Sequence, residues 1–162
     1  MDRRAILCSC CGASTLLAQI FPIHEETPIT THASGPFDVK LVPQPVEDAT
    51  GGAAIGRMAL DKRFHGDLDA TSKGQMLAHR SGVAGSAGYV AMEVVSGALH
   101  GRSGTFVLQH SGTMTRGDAQ LALAVVPDSG TGQLTGLAGK MAIIIADGNH
   151  AYAFEYTLPE IP

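Results

Sequence analysis

The sequence predicts an all-β domain closed as an eight-stranded antiparallel barrel, preceded by an extended N-terminal segment. Three observations point there. Glycine is abundant, at 20 of 162 residues, while only 16% of residues are charged; a helical bundle would carry more Glu, Lys and Leu. Apolar residues alternate with polar ones over short stretches, the period of a strand with one covered face. The breaks between those stretches carry turn chemistry, such as Gly51-Gly52, Arg116-Gly117-Asp118 and Asp147-Gly148-Asn149.

Eight strands follow in order, at about 36–43, 56–65, 67–73, 84–97, 103–114, 118–126, 138–146 and 150–158. In the first, Phe37, Val39 and Leu41 alternate with Asp38 and Lys40. In the second, Met58, Leu60 and Phe64 alternate with Asp61, Arg63 and His65. The seventh holds Ile143-Ile144-Ile145, a continuous apolar run that predicts cover on both faces. Asp147-Gly148 then leads to Tyr152, Phe154 and Tyr156, a hairpin signal. The longest connection, about 44–55, has room for a loop or a helical turn over one end of the barrel. Short turns between successive strands suit an up-and-down barrel or a sandwich.

The barrel is expected over residues 36–160. Before it, Arg3-Arg4 precedes a moderately apolar stretch from Ala5 to Phe21, the layout of a signal peptide of twin-arginine type over residues 1–21. Residues 22–35 hold two prolines and no periodicity and read as a linker. The protein is exported if the Arg3-Arg4 signal is used and cytoplasmic otherwise. The three cysteines, Cys8, Cys10 and Cys11, all lie in the leading tract, so neither a disulfide framework nor a cysteine nucleophile is expected in the barrel.

Several function classes are disfavoured at once. A grip on nucleic acid needs a clustered basic surface, which the net charge of −4 disfavours. No apolar run reaches the roughly 18 residues of a membrane-spanning helix. Gly130-Thr131-Gly132 lacks the third glycine of a dinucleotide loop, Gly139-Lys140 lacks the framing of a phosphate loop, and no Gly-x-Ser-x-Gly elbow exists. The seven histidines form no closely spaced pair, and neither a metal nor a cofactor is expected.

Polar residues inside strongly apolar strands are what remains to carry chemistry. Glu93 shares a strand face with Tyr89 and Ala91, opposite Val90, Met92 and Val94. A carboxylate there faces solvent or a polar lumen, and burial would make it a candidate acid or base. His110 lies on the face of Phe106 and Leu108, while Gln109 lies with Thr105, Val107, Ser111 and Thr113, so only one of the pair points inward. Glu93 and His110 are therefore the candidate catalytic residues. Tyr89, Gln109, His65 and Glu155 are the candidate ligand-binding residues, Glu155 because its face-mates Ala151 and Ala153 are small.

Three stretches, residues 56–76, 85–114 and 125–158, together resemble a bacterial family of domains of unknown function whose fold is similar to the allene oxide cyclase barrel. The segment Phe106-Val107-Leu108-Gln109-His110 and the loop beginning Val125-Val126-Pro127-Asp128 carry much of the likeness. Gly130-Thr131-Gly132 is also similar to the loop that precedes a closing strand in allene oxide cyclases and dirigent proteins. The resemblance implies an eight-stranded antiparallel barrel, often oligomeric, and assigns no activity. The expected function is binding of a small hydrophobic molecule in the lumen. The alternative is a cofactor-free isomerase, cyclase or dirigent-like catalyst that shapes its substrate and uses one acid/base residue.

Overall fold

A computed structural model describes residues 29–45 and 55–160. The expected signal peptide, the three cysteines and the middle of the 44–55 connection lie outside the described residues. Eight strands form a closed antiparallel barrel in sequence order: β1 (Thr31–Gln44), β2 (Gly56–Phe64), β3 (Leu68–Arg80), β4 (Ala87–Leu99), β5 (Arg102–Thr115), β6 (Asp118–Val125), β7 (Ala138–Ala146) and β8 (Asn149–Thr157). Among the described residues, no helix is long and apolar enough to cross a membrane.

The expected strands are all present, and two are longer than their patterns suggest. β1 starts at Thr31 because residues 31–36 pair with β8, from Thr31–Tyr156 to Pro36–Ala151. Residues 31–35, read as linker, are therefore strand. From Phe37 the same strand pairs with β2 instead. Pro36, which has no N–H to give a ladder, sits where the partner changes. β3 runs on past residue 73 to Arg80, paired with both β2 and β4.

Side chains of one parity on each strand point into the barrel and divide it into three levels. At the end formed by the β2–β3 and β4–β5 turns, Phe64, Leu68, Leu99, Phe106, Tyr152 and Phe154 fill the interior completely. The β6–β7 connection closes this end with a single 3₁₀ turn (Gly132–Leu134), and Leu134 and Leu137 are inserted as a plug. Gly104 permits that closure: a Cβ there would lie 2.1 Å from the Thr131 carbonyl oxygen of the loop. The middle level is polar and is described below. At the opposite end, Leu41, Met114 and Leu121 have inward parity yet stay exposed, because the barrel mouth there is open.

The apolar run Ile143-Ile144-Ile145 is not covered on both faces. Ile144 is 51% and Ile145 65% exposed. The cause is the ladder pattern. β6 and β7 share one bridge, Ala124–Lys140, and the β1–β8 ladder stops at Ala151. Beyond those points the β7–β8 hairpin pairs only with itself, so its tip lacks the neighbours that cover the rest of the sheet.

Candidate functional site

The middle of the barrel holds four polar side chains from four strands: Lys62 on β2, Ser72 on β3, Glu93 on β4 and His110 on β5. All four are buried. Their convergence follows from register. Lys62 stands opposite Ser72, Gly74 opposite Glu93, and Ala91 opposite His110, with all four groups at inward parity. Gly74 makes the space: a Cβ there would come within 2.6 Å of the Glu93 Cβ and 2.4 Å of the Met92 carbonyl oxygen.

Glu93 is fully satisfied. Lys62 Nζ donates to Oε1 at 2.7 Å and Ser72 Oγ donates to Oε2 at 2.5 Å. His110 Nε2 lies 2.8 Å from Oε1. Burial by itself pushes the Glu93 carboxyl up. The hydrogen bond from His110, the charge and hydrogen bond of Lys62 and the Ser72 hydroxyl outweigh that and bring it down from 4.5 to about 2. An ionised carboxylate only accepts, so the His110 Nε2 carries the proton in this bond. The Lys62 ammonium also sits 5.4 Å from the Phe37 ring centre and 5.7 Å from that of Phe64, where ring faces supplement the carboxylate.

Next to this cluster, toward the open mouth, lies Tyr89. Its ring centre is 6.4 Å from that of His110. The ring packs against Gly112 on β5, where a Cβ would be 2.2 Å from Tyr89 Cε1. Burial, and secondarily the Glu93 charge, push the Tyr89 phenol up, so it stays a neutral O–H donor. Among the described residues no protein group accepts a hydrogen bond from it. Tyr89 is also part of the wall of a cavity of about 330 Å³ in the mouth, together with Leu41, Met58, Met76, Met114 and Leu121. The four cluster residues are not in that wall. Tyr89 thus forms the boundary between an apolar mouth and a closed ionic centre.

The structure brings together three of the six residues singled out from the sequence: Glu93, His110 and Tyr89. It does not bring the other three to the lumen. Gln109 is on the exposed outer face of β5. His65 is exposed after β2, 3.2 Å from Asp38. Glu155 is on the outer face of β8, 4.0 Å from His32. Two members of the cluster were missed. Lys62 has the parity of Leu60 and Phe64, and Ser72 that of Leu68 and Ala70. That alternation was the available signal. Lys62 was masked by its charged neighbours Asp61 and Arg63, which face outward.

A second polar group braces the closed end. His100 Nδ1 is 2.7 Å from the Tyr156 hydroxyl, and His100 Nε2 is 3.6 Å from Asp67. The Tyr152 hydroxyl donates to the His65 carbonyl and accepts from the Leu68 amide. These bonds tie the β2–β3 and β4–β5 turns to β8, as buried hydroxyls require. Among the described residues no three His, Cys, Asp or Glu side chains form a metal-binding group.

Comparison with known proteins agrees with this barrel. Residues 33–156 match the model of a family described as protein of unknown function, DUF3224. A crystal structure of a DUF3224 protein of unknown function from Shewanella oneidensis MR-1 is similar, with 52% identity and a TM-score of 0.77. The alignment covers 82% of this chain and 100% of that one. No curated protein matches the chain. The chain belongs to the DUF3224 family.

Proposed function

We propose that this DUF3224 protein binds one small hydrophobic molecule in the open mouth of its barrel. The observation that carries this reading is the cavity of about 330 Å³, walled by Leu41, Met58, Met76, Met114 and Leu121 with Tyr89 at its inner side. Small-molecule sites are concave, mostly apolar, and carry few polar groups. Five large aliphatic or thioether side chains with one phenol, and with His79, Arg80, Thr113 and Gln120 as the other polar residues of the wall, fit that description. Three methionines suit an adaptable site, since the thioether chain is unbranched and polarisable. The closed end cannot serve, because aromatic rings and the Leu134 plug fill it.

The alternative, a cofactor-free isomerase or cyclase, is supported by the Glu93–His110 pair next to Tyr89. In that reading Glu93 orients His110, and the proton moves through His110 or Tyr89. The full set of partners on Glu93 and its depressed carboxyl speak against Glu93 itself as the acid or base. Binding is therefore the better-supported reading. An oligomer finds its support on the outside of β4, where Val90, Met92 and Val94 stand about half exposed in a row.

Native mass spectrometry of the protein purified from its own host tests the reading. A non-covalent adduct of small-molecule mass, released on denaturation, is expected. Ala78→Trp, which fills the mouth, is expected to remove it while the barrel stays folded. An adduct retained by Ala78→Trp, or none in the wild-type protein, counts against a mouth site. Incubating the released molecule with wild-type protein separates binder from catalyst: an unchanged NMR spectrum means binding alone.

A further inference from the structure

We propose that the molecule held in the mouth carries a neutral hydrogen-bond acceptor, a carbonyl of the ketone, aldehyde or ester class, and that Tyr89 donates its phenolic O–H to that oxygen. This rests on the mouth being a ligand site and adds to it the chemical class of the ligand and its orientation, with the oxygen inward.

Four observations converge on this class. Tyr89 lies in the wall of the mouth cavity beside His110, and its hydroxyl has no hydrogen-bond partner among the described residues. The O–H of a half-buried tyrosine usually has a partner, and a ligand oxygen can supply it. The ring occupies the space that Gly112 leaves free, so the phenol oxygen is placed at the cavity before a ligand arrives. Finally, the charges behind it select against an anion. Glu93 is the ionised group whose field is felt at Tyr89. The nearest cation in the interior, Lys62, is already bonded to Glu93 at 2.7 Å. A carboxylate or phosphate placed at Tyr89 would meet that negative charge, because the arginine of the cavity wall, Arg80, stands further out, at the rim on the last residue of β3. A neutral carbonyl accepts the bond without that repulsion. The size agrees as well: a dry cavity of about 150 Å³ takes benzene, so one of about 330 Å³ takes a skeleton of roughly two fused rings or a comparable chain.

Three probes of nearly one shape test this: 2-isopropenylnaphthalene, 2-acetylnaphthalene and 2-naphthoate. Each is titrated against the full-length protein and against Tyr89→Phe, which keeps the ring beside Gly112 and removes only the hydroxyl. The ketone is expected to bind about three- to tenfold more tightly than the hydrocarbon, the range of one net hydrogen bond. The naphthoate is expected to bind no better than the ketone. In Tyr89→Phe the ketone and the hydrocarbon are expected to converge, with the hydrocarbon unchanged. The bound ketone's C=O stretch should shift to lower frequency in the wild-type protein and return in Tyr89→Phe. Equal binding of ketone and hydrocarbon, or a ketone preference that survives Tyr89→Phe, overturns the Tyr89 assignment and leaves the apolar mouth intact. Tightest binding by the naphthoate overturns the neutral class and moves recognition to Arg80 at the rim. If none of the three binds, the mouth itself is not a site for molecules of this kind, and both proposals fall.

Discussion

Glu93→Gln is expected to destabilise the protein by about 3–5 kcal/mol, the cost of removing one partner from a buried ion pair. The neutral amide still accepts from Ser72, but Lys62 loses its counter-ion while 5% exposed. The two rings near its ammonium, Phe37 and Phe64, do not replace a carboxylate at 2.7 Å. For a domain of this size the loss corresponds to roughly 10 °C or more in Tm. The double variant Lys62→Met, Glu93→Gln is expected to recover most of it. A buried pair replaced as a pair removes the desolvation of both charges together with their attraction. Thermal or urea unfolding of the two single variants and the double gives the coupling energy directly. A Glu93→Gln protein as stable as wild type would mean that water reaches Lys62.

The second large effect is on acid stability. Glu93 titrates at about 2 in the folded protein and near 4.5 when unfolded. Between these values the folded carboxyl is ionised and the unfolded one binds a proton. The unfolded state then holds more protons, so stability rises with pH. The Glu93 contribution is complete above about pH 4.5 and is lost as pH falls to about 2. Its size is about 3 kcal/mol, from about 1.4 kcal/mol per unit of pKa difference. Other carboxylates also titrate in this window, so the useful quantity is a difference. The urea midpoint of wild type should fall more steeply between about pH 4.5 and about pH 2 than that of Lys62→Met, Glu93→Gln. Parallel curves would remove Glu93 as the acid-sensitive group.

Much of the fold was legible in the sequence, because strand alternation and turn residues are local signals. All eight strands and their antiparallel order follow from Phe37-Val39-Leu41, Phe106-Leu108 and the Asp147-Gly148 turn. Local signals failed where a residue serves a distant neighbour. Gly74 looks like the end of a strand, yet β3 continues through it because that glycine makes room for Glu93 on β4. Residues 31–35 look like linker, yet they pair with β8 before β1 exchanges that partner for β2 after Pro36.

The site was half legible. Alternation put Tyr89 and Glu93 on one face, but the more apolar row Val90-Met92-Val94 is the one turned outward. The interior of β4 is fixed by Val95 and Leu99, which share the parity of Glu93 and pack with the aromatic end. A buried carboxylate then requires a cation and donors, and Lys62, Ser72 and His110 supply them from three other strands. No spacing within one strand reveals such a set. The surface placement of His65 and Glu155 likewise depends on where turns and outer faces fall in the closed barrel.

The proposed binding of a small apolar ligand in the open mouth predicts which methionines respond to it. Methyl NMR of ¹³C-methionine protein during titration with 2-acetylnaphthalene is the decisive test. Met58, Met76 and Met114 line the mouth, Met141 is buried in the filled core, and Met92 lies on the outer face of β4. The expected result is saturable shifts of the Met58, Met76 and Met114 methyls with Met141 and Met92 unmoved. Shifts centred on Met92, or none at the three mouth methionines, would contradict it.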